Sequence, residues 1–344
     1  MLMFITKDLL QEKGACQSGT RWFLEKFPNG VDYQELLNAL AAENNIEWAQ
    51  WVLQNFGKLN AVMEVEELTI EGSLFFAGTV IVRKKMKISK WLLAGEGIKA
   101  GLGIEAGEGI EAGLGIEAGE DIKAGEGIKA GLDIKAGRDI EAGWGIKAGE
   151  GIKAGLDIKA GWGIEAGLGI EAGADIKAGR GIKAGEGIEA GRDIEAGWDI
   201  EAGAGIKAGL DIKAGWGIEA GLGIESDLGI KAGRGVKAVA DIKAGEGIKA
   251  GEDIKAGLGI EAGEDIEAGW DIEAGADIKA GLGIEAGADI KAGRGIEAGL
   301  GIEAGEDFGI YAGLRLKISH KKRHAIIKAK GCPENIICGE FVEV

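Results

Sequence analysis

The strongest constraint on this chain is a six-residue unit, Ala-Gly-x-(Gly/Asp)-Ile-(Lys/Glu), repeated 35 times over residues 94–303 with no slip of register. In an extended strand, residues two apart share a face. Ile and the following Ala therefore point inward together, and the Lys or Glu between them points outward. Gly turns the corner, x stands outside on the edge, and Gly or Asp leads back into the next strand. The chain has 65 Gly but 2 Pro, and the six-residue spacing excludes collagen, whose Gly recurs every third position. Apolar residues at fixed intervals also separate it from low-complexity disorder.

Six residues cannot form a coil alone, and two columns say how many hexads close one. Asp at the fourth hexad position falls at Asp121, Asp139, Asp157, Asp175, Asp193 and Asp211, always 18 apart. The repeat tryptophans, Trp144, Trp162, Trp198, Trp216 and Trp270, are separated by multiples of 18. Three hexads per coil make each set a vertical column on one edge. The predicted fold is mainly β: a three-sided parallel β-solenoid of 18 residues per coil, roughly 55–60 Å long at ~4.8 Å per stacked strand. Residues 136–171 and 190–225 share the x-order Arg-Trp-x-Leu-Trp-Leu. That marks a duplication of whole coils. The irregular hexads at Ser226-Asp227-Leu228, Val236 and Val239 predict a local defect or bend.

The flanks differ from the repeat. Residues 1–57 predict a small helical head. Asp32 is placed to cap a helix carrying Leu36, Leu37 and Leu40, and Asn44 or Asn45 one carrying Trp48, Trp51, Val52 and Phe56. Cys16, Trp22, Phe23 and Phe27 are expected in the remaining core. Residues 58–93 predict an N-terminal cap with degenerate first coils, and residues 304–344 a β cap. That second cap draws on Phe308, Ile310, Leu314, Leu316, Ile318, Ile326, Ile327, Ile336 and Ile337. Solenoids need such atypical ends to block edge-to-edge growth.

Formal net charge is −17, and the hexads alone hold 26 Glu and 15 Asp against 18 Lys and 5 Arg. An acidic surface of this kind repels nucleic acid and anionic membrane and attracts basic partners. The three cysteines, Cys16, Cys332 and Cys338, fit a reducing compartment, and Lys7 and Asp8 interrupt any signal-peptide core. Cytoplasmic location is the expectation.

In period, inward aliphatic residue and coil length, residues 94–303 resemble the hexapeptide-repeat triangular β-helix family. The small inward residue departs from that pattern, standing two after Ile rather than two before. Enzymes of that family imply a catalytic histidine and a looped-out insertion. Here both histidines, His320 and His324, lie outside the coils, and no loop interrupts them. The tract of Gly-Ile-Glu-Ala-Gly-Trp type behind a short helical head is loosely similar to repeat proteins of prophages and mobile elements. Gly-x-Gly strings without Gly-Lys-Ser/Thr carry no phosphate-binding signal. Cys332 and Cys338 lack a second ligand set, so no metal and no cofactor are expected.

Two features bear on function. The Asp column repels itself unless neighbouring Lys residues neutralise it and its carboxylates cap the turn backbone, which is the expectation. One edge reads Trp144, Trp162, Arg180, Trp198, Trp216, Arg234 and Trp270 among Glu and Ala residues. Trp and Arg are enriched at the centres of protein interfaces, so this edge is the expected partner-binding surface. The expected function is a non-enzymatic acidic rod that binds a protein partner. On the prophage resemblance it would be an inhibitor of a host defence complex that mimics nucleic acid. The alternative is a structural scaffold or interaction module that self-associates, as a homodimer, through the Trp edge.

Overall fold

The computed structural model describes residues 3–314 and 325–344. The chain divides into two compact units, Met1–Gly155 and Leu156–Val344.

The first unit opens with a short antiparallel pairing of Phe4–Ile5 with Val31–Asp32. Four helices belong to the same segment: α1 (Lys7–Glu12), α2 (Gln17–Lys26), α3 (Tyr33–Ala42) and α4 (Ile46–Phe56). Asp32 caps α3 by accepting the Gln34 N–H at 2.9 Å, and Asn45 caps α4 by accepting that of Trp48 at 3.1 Å. Both caps supply an acceptor for a helix N-terminal N–H that has none within the helix. Phe23, Tyr33, Leu36, Leu37 and Leu40 fill the core. Cys16 departs from expectation. It is exposed and serves as the N-cap of α2, its Sγ accepting the Gly19 N–H at 3.3 Å.

Extended chain follows in strands of three or four residues: Val62–Val65, Leu68–Ile70, Leu74–Phe76, Thr79–Val82, Met86–Ile88 and Leu92–Ala94. Each strand pairs in parallel with the strand one coil later. The first register is one residue short (Val62 with Thr79), and the next settles at 18 (Leu68 with Met86, Leu74 with Leu92). The core of the head runs into this first coil, since Phe75, Ala77 and Leu93 belong to one buried cluster with Tyr33, Leu37 and Val52. Gln34 joins the two chemically. Its amide donates to the Phe75 carbonyl at 2.7 Å and accepts the Ala77 N–H at 3.0 Å. A side chain on a helix thereby supplies the backbone pairs that a preceding strand would have made. Asn44 and Gln50 add contacts to Glu108 and Glu111 further along the same unit. The helical segment is thus itself the plug at the first open end of the solenoid core.

In the second unit every strand from Ile158–Ala160 to Ile296–Ala298 spans three residues. Register is 18 throughout, so Ile188 lies on Ile206 and Ala190 on Ala208. Ile and Ala are buried, and the residue between them faces out. Each inward Ile contributes ~1.5–3 kcal/mol through burial. The corners are bonded as well as the strands. Gly197 N–H donates to the Ala178 carbonyl at 3.1 Å and Trp198 N–H to the Arg180 carbonyl at 2.9 Å. This draws the corners together so tightly that a Cβ on Gly197 would stand 2.1 Å from the Gly179 carbonyl oxygen. Glycine at the second hexad position relieves a steric conflict at this corner. At the fourth position there is none: a Cβ on Gly187 would lie 3.4 Å from its nearest neighbour, the Gly205 oxygen.

The irregular hexads do not break the register. Ile224–Ser226 stays in register with the strands before and after it, as does Val236–Ala238. Ser226 occupies an inward Ala position and is buried. Its hydroxyl donates to the Leu210 carbonyl, with the Gly229 carbonyl 3.1 Å away. The polar group is satisfied, so the coil closes normally.

At the C-terminus, strands Ile310–Tyr311, Ile326–Ala329, Ile336–Cys338 and Glu340–Glu343 continue the parallel pairing. The apolar residues expected there divide in two. Ile310 and Ile327 are buried, whereas Phe308, Leu314 and Ile337 are exposed. Leu316, Ile318, His320 and His324 lie outside the described residues.

Candidate functional site

The corner that follows Ala160, Ala178, Ala196 and Ala214 carries the aromatic edge of the second unit. Because register is 18, Trp162, Arg180, Trp198, Trp216 and Arg234 stand on successive coils and touch face to face. The Arg180 guanidinium lies between two indoles, 4.5 Å from the centroid of Trp162 and 4.8 Å from that of Trp198. Trp198 stacks on Trp216 at 5.3 Å with the planes 8° apart. Arg234 covers the other face of Trp216 at 4.6 Å and reaches Glu252 at 4.0 Å. Trp270 lies two coils beyond Arg234, on the far side of Glu252. In the first unit, Trp144 holds the equivalent corner position and is exposed.

Stacking consumes the ring faces. What remains for solvent is a continuous strip of indole and guanidinium edges, 44–53% exposed at Trp162, Trp198 and Trp216. None of these side chains belongs to the Ile/Ala core, so removing them leaves the coil closed. Cation–π contacts at exposed sites contribute about 0.5–1 kcal/mol each.

The Asp residues sit at the corner positions that lead into the strands, and their oxygens are spoken for. In the second unit Asp157, Asp175, Asp193 and Asp211 each accept the N–H of the fourth-position residue one coil later, at 2.9–3.3 Å. Asp121 does the same for the Asp139 N–H in the first unit. The second carboxylate oxygen turns to the Lys two residues on, at 2.6 Å for Asp157 with Lys159 and 2.7 Å for Asp211 with Lys213. Asp133, Asp253 and Asp289, in other columns, repeat both contacts. Where the sixth position is Lys, the fourth-position Asp therefore acts as a staple, tying the corner above it to the Lys on its own strand. Asp139 and Asp193 are followed by Glu, which leaves only the first kind of contact open to them on their strand.

The staple is visible in the acidity of the carboxyls. Lys135 and then the Gly151 N–H hold Asp133 below the ordinary carboxylate range. At Asp157 and Asp211 burial pushes the carboxyl up, but the Lys partner and the accepted N–H outweigh it and leave both lowered. The sheet faces hold 18 Lys and 17 Glu at the sixth positions, so they are nearly neutral, while 14 Asp occupy the fourth positions. The acidity of the solenoid thus sits at its corners. Cross-coil pairs such as Lys183–Glu201 and Lys237–Glu219, both 2.8 Å, neutralise the faces further. Among the described residues no cluster of three or more His, Cys, Asp or Glu side chains is placed to hold a metal ion. No helix among them is long and apolar enough to cross a membrane.

Sequence reading missed Gln34 and Gln50, and offered Asn44 only as a helix cap, not as the partner of Glu108. No local pattern distinguishes a helix amide that pairs with a strand from one that faces water, so no signal was there to find.

These features define a parallel β-solenoid of 18-residue coils with a small helical N-terminal region. Within it, residues 3–59 match the family model of the YdhT N-terminal domain, a match confined to the four-helix head. No curated protein and no solved structure matches the chain.

Proposed function

We propose that the chain is a non-enzymatic scaffold that binds a protein partner with a basic surface, using the Trp/Arg edge of the second unit as its contact strip. One observation carries this reading: Trp162, Arg180, Trp198, Trp216 and Arg234 form a continuous, half-exposed ladder that the core does not need. Rigid aromatic and guanidinium groups held in fixed geometry bind with little loss of side-chain entropy. The acidic corners on either side favour a cationic rim on the partner.

Affinity capture from a host lysate with the full chain, compared with a Trp198→Ala/Trp216→Ala variant, tests the proposal. A partner retained by the parent and lost by the variant supports it, and equal capture sinks it. Sedimentation of the same two proteins separates the self-associating form. A dimer that the variant dissociates identifies a second copy as the partner.

The net charge of the repeat favours a second reading, in which the acidic surface mimics nucleic acid and inhibits a host defence complex on behalf of a phage or mobile element. Phosphate-like mimicry requires unengaged charge, and carboxylates such as Asp157 and Asp211 are engaged by a corner N–H and a Lys. The measurement that decides is salt dependence. A mimic loses affinity steeply between low and moderate ionic strength and is displaced by duplex DNA, whereas an aromatic contact strip shows a shallow slope.

A further inference from the structure

The head contains a cavity of about 270 Å³ that the solenoid does not use. Its walls are Trp22, Phe23, Leu36, Leu40, Trp48 and Trp51, and its mouth lies beside Cys16 and Glu47. Apolar walls give a water few hydrogen-bond partners, and a water needs two to four. A cavity of ~150 Å³ with aliphatic and aromatic walls is large enough to hold benzene. The head cavity is nearly twice that size. Its aromatic walls are arranged edge to face, with Trp22 and Trp48 at 5.6 Å and 69°. The Trp22 indole N–H is already donated to Glu43 at 2.7 Å, so it does not demand a polar guest. The one acidic wall residue is Glu47, which is exposed at the mouth.

We propose that this cavity binds a compact aromatic molecule of two fused rings, neutral or bearing a cationic substituent that emerges beside Glu47. An anionic substituent would meet the Glu47 carboxylate and is disfavoured. Cys16 marks the entrance. Its thiol lies at the N-terminus of α2, where the Ser18 hydroxyl and the Gly19 N–H hold it below the ordinary thiol range. It is therefore a reactive reporter of whether the entrance is occupied. Gly19 lines the same wall: a Cβ there would stand 3.3 Å from the Cys16 Sγ and 3.9 Å from the Trp48 ring.

The test uses the full chain with indole, tryptamine and indole-3-acetate. Calorimetry reads affinity, and iodoacetamide labelling with mass spectrometry reads protection of Cys16, with exposed Cys332 as the internal control. Indole and tryptamine are expected to bind at one site and to slow labelling of Cys16 but not of Cys332. Indole-3-acetate should bind at least about tenfold more weakly, the equivalent of ~1.4 kcal/mol. Gly19→Ala adds one methyl to the wall without harming the helix, and should cut indole affinity about tenfold at unchanged helical content. Absence of saturable binding, unprotected Cys16 in the bound state, equal affinity for the anionic probe, or an unaffected Gly19→Ala variant would each overturn the assignment.

Discussion

In the head, Phe23, Tyr33 and Leu37 each fill a place that no other residue fills. In the second unit, Ile188, Ile206 and Ile224 are one packing solution used three times. Tyr33 shows what the first arrangement entails: its ring is fully buried, and its hydroxyl donates to the Gly57 carbonyl at 2.6 Å. Burial pushes the pKa of that hydroxyl far above the usual phenol value. Such a site depends on particular neighbours. The repeat depends instead on one preference, that second-position residues be small enough to lie under a carbonyl. The head is therefore sensitive at many unrelated positions, whereas the repeat is sensitive at one kind of position and tolerant at the others.

The sharpest way to break that contrast is a cavity in the head. Leu37→Ala is expected to cost ~2–5 kcal/mol, read as a lower urea midpoint of the helical signal. Phe75 and Leu93 share its cluster, so loosening should spread into the first coils and appear there as faster amide exchange. Deleting the head outright would uncover this apolar surface and the strand edge that Gln34 satisfies, which makes substitution the cleaner experiment.

A pair of glycines in the second unit comes next. Gly197→Ala forces a methyl against the Gly179 carbonyl and should cost ~1–3 kcal/mol as overpacking, whereas Gly187→Ala meets only an ordinary contact and should be nearly silent. Hydrogen exchange across the two corners would show the difference, and equal effects would break the positional rule. Asp227 and Val239 occupy second positions yet keep the register and the corner bond, at 3.3 Å to the Ala208 carbonyl and 3.2 Å to that of Ala220, so glycine there is a preference and not an absolute rule.

The staples follow. Asp211→Ala removes the acceptor of the Gly229 N–H and the partner of Lys213, at about 0.5–1.5 kcal/mol for the hydrogen bond. Asp133, Asp157, Asp211, Asp253 and Asp289 are all held below the ordinary carboxylate range. Their contribution is thus fully present above pH ~3.9 and is lost as pH falls through their lowered folded values. Thermal melts on the acid side should show the repeat weakening in that window. The smallest effect belongs to the edge. Arg180→Ala unsandwiches Trp162 and Trp198 at ~0.5–1 kcal/mol per contact, with a change in indole fluorescence larger than the change in stability.

Much of this architecture is written in the spacing of Ile, Ala, Asp and Trp. A period fixes which residues face inward, and two columns fix the number of hexads per turn, so coil length, parallel register and the stacking of Trp198 on Trp216 follow from counting. The helix caps at Asp32 and Asn45 were legible for a similar reason, because they rest on neighbours in sequence. The plug at the first open end was not. It rests on Gln34 meeting Phe75 and Ala77 across an unrelated stretch of chain. The head cavity escaped for the same cause, since its walls come from four helices. Cys16 looked like a core residue because a thiol suits burial as well as it suits a helix N-terminus.

The corner bonds have a consequence for how the molecule assembles. Ile194 donates to Asp211, Trp198 to Arg180 and Gly197 to Ala178, so these rungs join residues 17–19 apart in the chain. Loop-closure entropy is therefore small and the same for each coil, and the mean separation of contacts does not grow as coils are added. The first coil differs, because Gln34 reaches 41 and 43 residues forward to close it. On loop-closure cost alone, that seam and the C-terminal one, where the Lys330 N–H bonds the Leu300 carbonyl, are expected to close after the coils between them.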